Sequence, residues 1–323
     1  MIATHGRSFY VLDNIALLRQ LEPSITASAV HVFKPGDAVK PRRPAAIDYY
    51  LAKPADQVTI DILDGAGQVV RTIKSSEEED KKLKKSQDED TDFGPPPNPP
   101  PGRKAGSNRY VWDLRYPGAT VFEGEIMWGA RAQQGPLAVP GAYQVRITAA
   151  GQSQTQAFTL KLDEREHVTD AQLQEQFKLA SQIRDQVSRA DEMVIAIRRI
   201  VKDSKDRAEK AKDEEVTSVG AELRDKLSTI EEEIYQVRNR ANEDPLNFPI
   251  KLNNQIAALA RSVETGDNPP TQQDYEIFQI LTARLAAVQA KYDGAMQKDL
   301  AHFNEVLAAH KQAAIRSAGS PLN

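Results

Sequence analysis

The chain has 323 residues, 40% hydrophobic and 27% charged, with a formal net charge of −4. That length can bury two separate cores, and the mild acidity excludes a general nucleic-acid-binding surface. With no cysteine, disulfides, thiolate metal sites and cysteine nucleophiles are excluded, while cytosol and periplasm stay equally open.

No apolar run reaches the ~20 residues that cross a bilayer, so no membrane insertion is expected. Residues 1–7 (MIATHGR) lack the apolar centre of a secretory signal. Ser8 to Leu12 reads as a strand stopped by Asp13-Asn14. A strand so short needs a partner, and none is evident nearby. Val30-His31-Val32-Phe33 and Ala46 to Leu51 read as further strands. Val58 to Leu63 and Gln68 to Ile73 flank Asp64-Gly65-Ala66-Gly67, which predicts a hairpin.

Residues 75–107 break this pattern with acidic and lysine clusters and then a proline run from Pro95 to Pro101. Leu83 and Phe93 are its only large apolar residues. A disordered insertion with a polyproline end is expected, because so little burial cannot offset ordering. Asn108 to Gly118 then reads as a central strand, with Tyr110, Trp112 and Leu114 on one face and Val111, Asp113 and Arg115 on the other, and Trp112 is expected in the core. Val121 to Gly129 reads as another extended segment. Tyr143, Val145 and Ile147 share one strand face, and Phe158, Leu160 and Leu162 another. About seven strands between residues 30 and 163, at this turn spacing, predict a β-sandwich.

The pattern then switches to helix. Thr169 and Gln172 form a capping-box signature. Leu173, Phe177, Ala180, Ile183, Val187, Ala190, Val194, Ile197 and Val201 recur at threes and fours. Lys202 to Glu215 carries no stripe and reads as a turn or frayed helix. Second and third stripes run from Val216 to Val237 and from Leu252 to Val263. Thr271 with Asp274 caps a last helix, whose stripe runs from Tyr275 to Leu307 and whose length is roughly 55–60 Å. The expected fold class is α+β multidomain: an antiparallel β-sandwich followed by an antiparallel helical bundle. The expected domains are 1–29 (opening strand and linker), 30–165 (sandwich with insertion 75–107), 167–315 (bundle of three to four helices) and 316–323 (disordered tail).

Chemistry is sparse in the sequence. His302 and His310 are eight residues apart, about 12 Å of helical rise and too far for one metal. They read as solvated helix-face residues. No metal-ligand set, nucleotide loop or cofactor motif is recognisable. Glu123 and Glu125 fall at i and i+2 of an extended segment, ~7 Å apart on one face. Trp128 stands nearby. Paired carboxylates beside an aromatic fit acid/base work on a sugar, or a ligand contact. Glutamates that only solvate a loop fit the same pattern.

Ala3 to Asn14, including His5-Gly6-Arg7, resembles the closing strand of bacterial sortilin-like BNR-repeat propellers, a family often labelled glycosyl hydrolase or sialidase-like. Ile47-Asp48-Tyr49-Tyr50-Leu51, Val111 to Gly118, Val139-Pro140-Gly141-Ala142-Tyr143 and the helical end from Asp244 to Phe303 are similar to the segments that follow the propeller there. Trp112-Asp113 with Pro140-Gly141-Ala142-Tyr143 also resembles the Ig-like domain of flagellar hook-capping proteins. The resemblance implies an Ig-like sandwich, export to an extracytoplasmic compartment and a propeller as partner. It implies no catalytic residue here, since the propeller blades and their Asp-boxes are absent from the chain. A fragment or a misplaced start is therefore expected. The expected function is a non-catalytic accessory or interaction region. The alternatives are a glycoside hydrolase, with its site in a lost propeller or near Glu123 and Glu125, and a scaffold that self-assembles through its helices.

Overall fold

The computed structural model describes residues 17–40, 42–78 and 99–317, together with Ile15 and the backbone of residues 2–3 and 9–10. Its architecture mixes α and β, and the chain divides into two compact units. Met1–Pro117 and Leu137–Asp170 form the sheet unit; Gly118–Pro136 and Ala171–Asn323 form the helical unit. Residues 118–136, expected within the sandwich, therefore belong with the helices.

In the sheet unit, β1 (Ile2–Ala3) and β2 (Phe9–Tyr10) pair antiparallel. The opening strand thus has a local partner, contrary to expectation. The rest of that expected strand, Ser8, Val11 and Leu12, lies outside the described residues. β3 (Val30–Val32), β5 (Ala45–Leu51) and β8 (Gly106–Trp112) form a three-stranded sheet in the order β3-β5-β8. β4 (Ala38–Lys40), β6 (Val58–Asp64), β7 (Val69–Ser75), β11 (Gly141–Ala149) and β12 (Gln152–Leu162) form a five-stranded sheet in the order β4-β12-β11-β6-β7. All these pairings are antiparallel except β4 with β12. The short strands β9 (Arg115–Pro117) and β10 (Gln134–Leu137) complete the set. Pieces of three residues such as β4 and β9 are too short for an alternating pattern, so the sequence count fell below the observed one.

The predicted hairpin is β6–β7. Asp64 Oδ1 accepts from the amides of Ala66 and Gln68, and Gly67 takes φ 79°, where a side chain would be strained. Both large sheets contribute to one hydrophobic cluster. Trp112 is fully buried in it, with its ring 5.5 Å from Tyr143 and 6.2 Å from Phe158. Its indole N–H donates to the Arg115 carbonyl at 3.0 Å, as a buried indole requires. Tyr110 and Leu114 are buried with Trp112 and Val111 is exposed, so the two alternating faces are distinct and the Trp112 face is the core face.

Two readings of this stretch need correction. β8 is an edge strand of its sheet, with β5 in the middle, and regular pairing ends at Trp112. Leu114 turns the chain at φ 60° and passes its carbonyl to the Ala138 amide at 2.7 Å. The expected disordered insertion is also shorter at its C-terminal side: Pro101 is buried, and Tyr49 donates its hydroxyl to the Gly102 carbonyl at 2.6 Å. Residues 79–98 of that insertion, and 318–323 of the expected tail, lie outside the described residues.

The helical unit contains α1 (Asp170–Ala211), α2 (Glu214–Ile234), α3 (Leu252–Val263) and α4 (Gln272–Ala295). α4 continues through a π-helical turn, Met296–Leu300, into α5 (Ala301–Ala309). The predicted stripes are the buried faces: Ile183, Val187, Val194 and Ile197 on α1, Leu223, Leu227 and Ile230 on α2, Leu285, Phe303 and Leu307 on α4 and α5. Tyr275 is the exception, exposed at the start of its stripe. α1 runs on to Ala211 where a frayed turn was expected. Ser204 and Ala208 prolong the buried face one turn at a time after Ile200, but as small residues they leave no hydrophobic signal. The helix stops at Lys212, which turns at φ 50°, and Asp213 caps α2 by accepting from the amides of Glu215 and Val216. The capping box of Thr271 with Asp274 forms as predicted. Gly220 lets α2 approach α5: a Cβ there would stand 3.1 Å from the Phe303 ring.

Candidate functional site

Glu125 and Trp128 lie on the segment 118–136 of the helical unit, which is irregular up to the start of β10 rather than the expected strand. Gly124 and Gly129 take φ 75° and 65°, which breaks extended geometry on both sides. Glu123 and Glu125 consequently do not share a face: Glu123 is exposed, whereas Glu125 turns inward. Trp128 stays 42% exposed.

The loop is held to the helices along its length. At its start, the Thr120 amide donates to Ser188 Oγ at 3.0 Å and the Thr120 hydroxyl to Glu192 at 3.1 Å. Phe122 is buried edge-on against Tyr235, with ring centroids 4.9 Å apart. The Arg198 guanidinium lies 4.5 Å from the Phe122 centroid and is fixed by Glu231 at 2.7 Å. The Tyr235 hydroxyl accepts from the Ile126 amide at 3.1 Å and donates to the Gly124 carbonyl at 3.2 Å. Asn254 then grips the backbone of Trp128 at both ends: its Oδ1 accepts from the amide at 2.7 Å and its Nδ2 donates to the carbonyl at 2.9 Å. Where the loop returns, Gly118 meets Gln133 so closely that a Cβ would overlap the Gln133 carbonyl group.

Beneath this clasp sits a buried acid pair. Asn253 Nδ2 donates to Glu125 Oε1 at 3.2 Å and to Asp191 Oδ1 at 3.0 Å, so one amide bridges two carboxyls. Asp191 is fully buried on α1. The other oxygens, Glu125 Oε2 and Asp191 Oδ2, are buried with no donor from another group. Burial, then the neighbouring Asp191 charge, pushes Glu125 up to about 9. Burial likewise raises Asp191, to about 6, against the lowering effect of the Asn253 hydrogen bond. Both acids are thus raised by burial, side by side under one bridging amide.

Sequence reasoning pointed at Glu125 but not at Asp191, Arg198, Tyr235, Asn253 or Asn254. For Asp191 a signal existed. It falls between Val187 and Val194, four residues after one and three before the other, and so on the apolar face of α1. The Asn253-Asn254 pair opens α3 and gives no such signal alone.

A shallow surface groove lies between loop residues Ala119, Arg131 and Ala132 and the helix residues Ile183, Val187 and Ala257. Neither Glu123 nor Glu125 lines it. Elsewhere, Asp213, Glu215 and His310 place one ligand atom each within 4.8 Å of one another, the set among the described residues that could hold a small cation. His310 is thus half-buried between two carboxylates, 3.1 Å from Glu215 and 3.6 Å from Asp213, rather than a solvated helix-face histidine.

No family model and no curated protein matches this chain. Among solved structures it is similar to an engineered protein determined by crystallography, at 10% identity and a TM-score of 0.19. That match covers 42% of this chain and 20% of the engineered one.

Proposed function

We propose that this chain is a non-catalytic accessory or interaction region of an exported BNR-repeat propeller protein, made of an Ig-like sandwich and an antiparallel helical bundle. The observation that carries the reading is the engagement of Glu125. The carboxyl best placed for acid/base work is already bridged by Asn253 to Asp191 and held under a loop whose backbone is gripped by Tyr235 and Asn254. A general acid must reach its substrate within hydrogen-bond distance, whereas the polar atoms of Glu125 face other residues of the fold. The sandwich reading is supported by two sheets sharing one core around a buried tryptophan. The link to a propeller rests on the segments quoted above, from His5-Gly6-Arg7 to Pro140-Gly141-Ala142-Tyr143.

The test has two arms. Purified protein and its Glu123→Gln and Glu125→Gln variants are assayed on fluorogenic glycosides, sialosides included. Equal readings at the blank are expected, and turnover lost in either variant would overturn the reading. In the second arm, a recombinant BNR-repeat propeller is mixed with the chain and co-elution is followed by size-exclusion chromatography. Co-elution is expected.

A second reading, self-assembly through the helices, is favoured by Ile277 and Ile280, exposed one turn apart on α4. Sedimentation that stays monomeric across concentration would remove it.

A further inference from the structure

We propose that Glu125 and Asp191 form a proton-sharing latch whose deprotonation releases the loop 118–136 from the helices. The inference stands on the placement of four carboxyl oxygens and one amide, independently of the propeller reading. Asn253 supplies a donor to one oxygen of each acid. The remaining two oxygens, Glu125 Oε2 and Asp191 Oδ2, are buried and have no other donor. With the two acids side by side under Asn253 and acting on each other, a single proton between them would satisfy both, the protonated acid donating and the carboxylate accepting. Two buried acceptors without it would be unsatisfied and would carry like charge away from water.

The groups that face the pair do not supply a replacement. On α1, Glu192 adds negative charge near Asp191, and Arg198 acts on Glu125. Arg198 is committed to Glu231 of α2 and lies over the rings of Phe122 and Tyr235. Tyr235 is neutral, its hydroxyl held up by burial, and Arg240 acts on Tyr235. α3 contributes the neutral Asn253 and Asn254. On the loop itself, Glu123 and Arg131 are solvent-exposed.

The sign follows from linkage. Both acids titrate above their ordinary range in the folded state, so the closed loop is fully stabilised below that range and loses stability as pH rises towards about 9. Opening would uncover the apolar seat of Phe122 and Ala132, which pack into the helical core.

The test uses the full chain labelled with ¹³C-glutamate. Isotope-edited infrared spectroscopy from pH 5 to 10 reads the neutral-acid carbonyl band of Glu125. Tryptic cleavage after Arg131, normalised to a reference peptide, reads loop release. The expected result is a neutral-acid band at pH 7, absent in Glu125→Gln. It should vanish at alkaline pH as cleavage accelerates by about tenfold or more, with helical circular dichroism unchanged. Glu125→Gln keeps a neutral donor and should stay closed across the range. Asp191→Asn replaces the like charge with an amide that can donate to the ionised Glu125, so it too should lose the alkaline release, and it serves if Glu125→Gln fails to fold. Absence of the band at pH 7 would overturn the proposal. So would wild-type pH dependence of cleavage in both variants, or cleavage that tracks loss of helical signal.

Discussion

Tyr235→Phe separates the polar clasp on the loop from its apolar anchor. The substitution keeps the ring that Phe122 meets edge-on and that Arg198 overlies. It removes only the hydroxyl, and with it the bonds to the Ile126 amide at 3.1 Å and the Gly124 carbonyl at 3.2 Å. A typical hydrogen bond contributes about 1 kcal/mol net, and an amide left unsatisfied in a partly buried site costs about 1–3 kcal/mol. The expected loss is therefore about 2–3 kcal/mol. For a unit of about 150–250 residues that is about 4–12 °C in melting temperature. Because the chain has two compact units, the melt must be followed at a helical wavelength and not assumed to be two-state. Hydrogen exchange supplies the local readout: the Ile126 amide should exchange faster, while amides within β11 and β12 stay protected. A melting temperature within about 1 °C of wild type, with unchanged exchange at Ile126, would refute the claim that Tyr235 holds the loop.

Two further outcomes are expected. Trp112→Ala should destabilise the sheet unit by about 3–5 kcal/mol, as for other fully buried aromatics, seen as loss of near-UV signal before the helical transition; a neutral result would mean that Trp112 is not core. Gly118→Ala should cost about 1–3 kcal/mol, because its Cβ would overlap backbone atoms of Gln133 that cannot rotate away; the helical melting temperature checks it, and an unchanged value would refute the close approach.

Local pattern was most legible where burial repeats at a fixed period. The apolar stripes of α1, α2 and α4, the β6–β7 hairpin and the burial of Trp112 between two aromatic neighbours all follow from spacing. What the pattern could not carry was partnership. Whether β8 is central or edge depends on strands far away in sequence, so its strong alternation misled. Val121 to Gly129 reads as extended from its β-branched and aromatic residues, yet Gly124 and Gly129 sit at positive φ and the segment docks on helices instead. The last turns of α1 were invisible because Ser204 and Ala208 bury little side chain. Of the acid pair, Glu125 was noticed for its neighbour Glu123, which turns out to face solvent. Its true partner, Asp191, stands 66 positions on along the chain, and only its place on an apolar face hinted at it.

Glu125 is thus a structural acid built into the helical unit, its carboxyl raised by burial and expected to stay protonated at neutral pH. Comparing the stability of wild type and Glu125→Gln across pH 5 to 9 probes this most sharply. Wild-type Glu125 is raised by burial and by Asp191, so its contribution should be intact at the acidic end and fall as pH rises. Glutamine does not titrate. The two proteins should therefore be nearly equal at pH 5, with Glu125→Gln progressively the more stable towards pH 9. A variant that is less stable by the same margin at every pH would contradict a protonated Glu125, because it would mean that this carboxyl is ionised in the folded protein throughout.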